Sequence, residues 1–153
     1  MNAIRIDNGV REYPITDEND NVLTTVSLNP TDMNFAESVL NALENIGTMY
    51  TEYQDEAERI SKMENEKEAG VKMFELGRSA DSKIRAELNG LFEKDICTPI
   101  LGKMSCLTRA DGFPVWANII FGFVDLIDEK IVEEKKKENP RIEKYTKKYS
   151  RRR

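Results

Sequence analysis

The chain has 153 residues, enough for one domain with a real core, and its residues are 39% hydrophobic and 33% charged. The net charge is −5, there is no histidine, and the only cysteines are Cys97 and Cys106. Ser-His-Asp and Cys-His nucleophiles, the commonest metal ligand and a four-cysteine zinc site are thereby excluded.

Met1 to Leu28 reads as extended. Ala3 to Ile6 is a short run of strand formers, Asp7-Asn8-Gly9 is a turn, and Val10 to Ile15 resumes the strand, with Pro14 at an edge or end. Asp17 to Asn21 is a polar turn, and Val22, Thr24, Val26 and Leu28 alternate as strand residues do. The expectation is a small antiparallel hairpin or meander of two or three strands. Such a sheet is marginal alone and must rest on a helix or another subunit.

Asn29-Pro30-Thr31-Asp32 stops the strand, and Thr31 or Asp32 can cap a helix. Phe35, Val39, Leu43, Ile46, Tyr50, Tyr53, Ala57 and Ile60 then follow with steps of three and four, close to a heptad seam. Glu64 to Gly70 has no apolar stripe and reads as a connection. A second amphipathic helix carries Met73, Leu76, Ala80, Ile84, Leu88 and Leu91 or Phe92. Two such helices can pair as an antiparallel hairpin. The stripes suit an intramolecular core first and an intermolecular seam second.

Thr98-Pro99 can start a single helical turn that Gly102 ends. Cys97 and Cys106 stand among apolar neighbours, as buried free thiols do. Arg109 to Gly112 is a turn, and Pro114 is placed at the first position of a last helix. Its stripe, from Val115 and Trp116 to Ile131, is wide enough for burial on more than one side. That stretch is too broken by Asn118, Gly122 and Asp125 to span a membrane. The helix should stop before Pro140.

Charge is unevenly spread. Between Lys135 and Arg153 ten Lys and Arg face two Glu, so that segment carries +8 and the rest of the chain −13. Ile142, Tyr145 and Tyr149 lie three and four apart in this tail, which suits a short helix with one sticky face. Mixed aromatics and cations also occur in nucleic-acid binders. A body this acidic disfavours a phosphate backbone, so a docking arm or a solvated tail is the preferred reading.

The fold expected is mainly α with the N-terminal hairpin or meander (α+β), its helical part a bundle of three to four helices. One domain covers 1–139, with a β segment over 1–28 and helices over 33–139, and a basic tail covers 140–153. There is no GxxxxGK[ST] phosphate loop and no GxGxxG dinucleotide fingerprint. Paired carboxylates such as Asp17-Glu18 and Glu133-Glu134 lie in solvated stretches, where nothing splits their pKa values. The expectation is a binding protein, not an enzyme, with no cofactor and no metal.

Three segments carry a resemblance: Leu28-Asn29-Pro30-Thr31-Asp32-Met33-Asn34-Phe35, Arg109 through Asn118, and Asn139-Pro140-Arg141 through Tyr149. In this order and at this length the chain resembles the small tail assembly chaperones of Gram-positive siphophages and prophages. The resemblance implies a holdase that binds the phage tape measure protein in the host bacterial cytoplasm and is absent from the finished particle. Better-known branches of that family also make a frameshifted longer form. Separately, the acidic body beside a basic tail, with more amphipathic helix than one small core can use, gives the expectation of homo-oligomers whose head-to-tail contacts can build rings or filaments. For a helical client the candidate contacts are Met49, Tyr50, Tyr53 and Met73, with Tyr145 and Tyr149 from the tail. Methionine adapts its shape and tyrosine keeps one end wet. Filling the hairpin's own core is the competing role for Met49, Tyr50, Tyr53 and Met73. The alternatives to a chaperone are a structural head–tail or tail-completion protein of the virion, and behind it a nucleic-acid-binding regulator.

Overall fold

The computed structural model describes residues 2–137 and 140–150. Strands β1 (Arg11–Thr16) and β2 (Val22–Leu28) form an antiparallel hairpin in which Tyr13 faces Val26 and Arg11 faces Leu28. Asp17 closes its turn by accepting from the backbone N–H groups of Asn19 and Asn21 at 2.9 and 3.0 Å. Val26 and Leu28 on β2 are buried, so one face of the hairpin rests on the helices.

Ala3 to Ile6 is not a strand. Asp7 accepts from the Gly9 N–H and pairs with Arg11, and Asn29 donates to the Asn8 carbonyl at 2.9 Å. Gly9 has φ +74°, and a Cβ there would collide with the Asn29 amide. This tight turn sends the preceding residues away from the sheet, leaving Ile4 and Ile6 91% and 81% exposed.

Helix α1 (Met33–Ser61) is capped by Asp32, whose carboxylate accepts from the Asn34 N–H at 2.9 Å. Helix α2 (Glu66–Gly90) starts earlier than its apolar stripe suggests. Asn65 caps it by accepting from the Glu68 N–H, Glu66 and Glu68 favour its positive end, and Lys72 pairs with Glu68. The connection is therefore only 62–65. One turn of helix, α3 (Cys97–Leu101), ends at Gly102 with φ +59°.

Strands β3 (Arg109–Ala110) and β4 (Phe113–Pro114) make a minimal hairpin, with Asp111 and Gly112 both at positive φ as its tight turn requires. Helix α4 (Val115–Lys136) follows, and Pro114 stands just before it as its cap with extended backbone, one position earlier than expected. The Thr108 and Cys106 carbonyls accept from the Val115 and Trp116 N–H groups at 2.7 and 3.1 Å, serving donors that no capping side chain reaches. Helix α5 (Arg141–Ser150) forms the tail. The stop before Pro140 falls on residues 138–139, which lie outside the described residues.

Phe35, Phe92 and Phe123 meet with centroids 5.3–6.4 Å apart, joining the start of α1, the turn just after α2 and the middle of α4. Farther along, Tyr50 meets Trp116. These contacts make α1 antiparallel to both α2 and α4. The core of this three-helix body includes the fully buried Val39, Ile46, Ile84, Leu88, Ile96 and Ile120. The chain is thus mainly α with a small β-hairpin, three long helices sharing a core, α3 set against β2 and α2, and α5 in the tail.

Candidate functional site

Helix α1 is 29 residues long, about 43 Å at 1.5 Å per residue. Helix α4 begins at Val115, and its first turn already meets Tyr50. Beyond Tyr50 the chain direction carries α4 away, so the distal part of α1 and the proximal part of α2 run on as a two-helix arm. No third long helix among the described residues lies along it.

The arm continues the stripe that α4 covers elsewhere. Tyr53 stacks on Tyr50 with centroids 6.0 Å apart, and Tyr53, Ala57 and Met63 are half-buried. From α2 the half-buried Gly70, Met73 and Leu76 join them. The pairing set by Phe35 and Phe92 brings Met73 to the level of Tyr53. Phe74, next to Met73, is 71% exposed, and Val71 is exposed as well. Only Ile60 on the distal arm is buried.

The candidate contacts divide. Met49 and Tyr50 are half-buried and pack against the main core, and the Arg109 guanidinium donates to the Tyr50 hydroxyl at 3.4 Å. Tyr53 and Met73 lie on the arm outside that core. Tyr145 is exposed on α5. Tyr149 belongs to the same helix, but its side chain lies outside the described residues. The six residues therefore do not form one patch. Phe74 and Val71 belong beside Tyr53 and Met73, although both fall off the seam that marks the buried face of the helix. Their presence among Lys, Glu and Arg on an outward position was the available signal.

A polar ladder on α2 was also missed. Asp81, Arg85 and Asn89 follow at four-residue steps. Asp81 accepts from the Cys106 N–H at 2.8 Å and from Arg85 at 3.1 Å. Asn89 accepts from the Ile96 and Cys97 N–H groups at 2.9 and 3.0 Å. The Arg85 guanidinium donates to the Gly102 carbonyl at 3.3 Å and to the Met104 carbonyl. Together they staple residues 96–106 to α2. Burial acts to raise the Asp81 pKa, but the hydrogen bonds from Cys106 and Arg85 outweigh it and leave the carboxyl below its ordinary range.

Cys97 and Cys106 are free, fully buried thiols that donate weakly to the Arg85 and Asp81 carbonyls. Burial pushes Cys97 up to about 11 and raises Cys106 as well. Neither is poised as a nucleophile. Among the described residues no group of three or more Cys, Asp and Glu side chains is placed to hold a metal ion. No helix among the described residues is long and apolar enough to cross a membrane.

Of the surface depressions that border the hairpin, two stand out by volume. One, of about 1080 Å³, lies between β2, the start of α1 and the end of α2, where Lys94 donates to the Thr25 carbonyl. The other, of about 820 Å³, lies between the hairpin, α3 and α4 and has an apolar floor. No protein-family model, curated protein or solved structure matches the chain.

Proposed function

We propose that this protein is a helix-binding chaperone and that its client is the tape measure protein of a phage tail. The observation that carries the reading is the two-helix arm. Where α4 lies on α1, three helices bury a common stripe. Along the arm the stripe continues through Tyr53, Met73 and Leu76 with no helix of the described residues over it. A client helix laid there would take the place that α4 takes nearer the hairpin. Helical clients are gripped in this way, through anchors at i, i+3, i+4 and i+7. Methionine and tyrosine suit a surface that must accept varied sequences. The resemblance of the three quoted segments to tail assembly chaperones supports a tape measure protein as the client. A tape measure exposes long apolar stripes before the tube encloses it, and such stripes aggregate when bare.

The test is co-expression with a phage tape measure protein. The wild-type chain should keep that protein soluble and co-purify with it. The double variant Tyr53→Ser, Phe74→Ser should fold normally, because Phe74 is exposed and Tyr53 lies outside the main core, yet it should lose the rescue. A folded double variant that rescues as well as the wild type removes the arm from the client site. Recovery of the chain from purified virions would instead make it a structural component of the particle.

A further inference from the structure

We propose that α5 of one copy docks in the groove between the β-hairpin, α3 and α4 of a second copy, which links the chains head to tail. The groove and the helix are chemical complements. The charged side chains lining the groove are Asp17, Glu18 and Asp20, all acidic and all on the hairpin turn. Its floor is apolar, with Leu23 from β2 and Ile119 and Leu126 from α4, and Met104 stands exposed at its side. Helix α5 offers the opposite charge. Arg141, Lys144, Lys147 and Lys148 outnumber Glu143. Its apolar residues Ile142 and Tyr145 lie three apart on one face, and Ile142 is 80% exposed. The Arg141 guanidinium sits 5.5 Å from the Tyr145 ring centre, so the cation borders the apolar face. The sizes also agree. Ten residues of α5 make about 15 Å of helix, and the α4 wall from Val115 to Leu126 is about 18 Å long.

The placement of α5 argues for a second copy as the donor. Among the described residues none of α5 lines the groove of its own chain, and its apolar residues Ile142 and Tyr145 stand exposed, open to the groove of another copy. The helix and the groove are different surfaces, so the contact is heterologous and propagates into a ring or a filament.

The proposal concerns self-association without any client, so its failure and that of the chaperone reading are separable. The test mixes two full-length variants carrying distinguishable tags, one with Ile142→Cys and one with Glu18→Cys. Both positions are exposed, and the native thiols are buried and unreactive. Mild oxidation should give a disulfide-linked heterodimer, and its yield should fall as salt rises. A chain ending at Pro140 should sediment as a monomer with an unchanged melting temperature, and Tyr53→Ser, Phe74→Ser should leave the crosslink intact. Absence of the heterodimer overturns the proposal. So does a disulfide that forms only within a chain carrying both cysteines, or a Glu18→Cys thiol that links to a co-expressed tape measure protein and not to a second copy.

Discussion

Tyr50 stands edge-on to Trp116, with ring centroids 5.5 Å apart and planes at 67°. This pair marks where the three-helix body ends and the two-helix arm begins. Trp116 is buried, its indole N–H has no acceptor among the described residues, and Tyr53 stacks on Tyr50. Trp116→Ala should therefore cost about 3–5 kcal/mol. Trp116→Phe should cost much less, because it also removes an unpaired donor worth about 1–3 kcal/mol. Tyr50→Ser should cost about 2–3 kcal/mol, and Tyr53→Ser less than about 1 kcal/mol. Urea denaturation of the four variants checks the order. Equal losses at Tyr50 and Tyr53 would place the boundary elsewhere.

Much of this architecture was legible in the sequence. The seam from Phe35 to Ile60 has one period over seven turns, and Asp32, the Asp17 to Asn21 turn and Asp111-Gly112 are local signals with local causes. What was not legible depends on distant residues. Ala3 to Ile6 reads as a strand by composition, but Gly9 and the Asn29 amide turn it off the sheet. Glu66 to Gly70 lacks an apolar stripe, yet the Asn65 cap makes it helical. Tyr50 and Tyr53 are equivalent seam positions on paper. Only the point at which α4 begins makes one a core residue and the other part of the arm.

The helical glycines Gly47 and Gly77 offer an independent check on packing. A Cβ at either position would meet nothing within 4 Å. Glycine in a helix interior is then a pure loss, so Gly47→Ala and Gly77→Ala should each stabilise by about 0.5–1 kcal/mol. For a domain of this size that is about 2–4 °C in melting temperature per kcal/mol. Calorimetry should find the two effects additive, since the sites are on different helices. A fall at Gly77 would mean that α1 and α2 approach more closely than the open space indicates.

The two thiols should be inert in the native protein. Both are fully buried, and Cys97 is pushed up to about 11. At pH 8 a thiol reagent should label neither until the chain is unfolded, when both should react at once. Stability should also fall with rising pH above the ordinary thiol value of 9.0. There the unfolded chain releases protons that the folded thiols still hold, so the contribution is full below that value and is lost as pH climbs through the folded pKa values. Labelling of one native cysteine at the rate of a free thiol would mean that the segment from 96 to 106 opens locally.

Asp81 supplies the acid-side counterpart. Its carboxylate is below its ordinary value of 3.8 because the Cys106 N–H and Arg85 donate to it more than burial penalises it. A depressed folded pKa means that the unfolded chain takes up the proton first as pH falls. The stabilisation is therefore full well above pH 3.8, shrinks as pH drops below it, and is gone once the folded carboxyl itself is protonated. Asp81→Asn keeps an acceptor for the Cys106 N–H but loses the charge, so it should flatten the acid limb of the stability curve at modest cost near pH 7. Asp81→Ala should cost more, about 1–3 kcal/mol, because the Cys106 N–H is left without a partner. Urea midpoints between pH 3 and 7 for the three proteins check both points. An acid limb equally steep in wild type and Asp81→Asn would assign the pH dependence to other carboxylates and reduce Asp81 to a neutral hydrogen-bond acceptor.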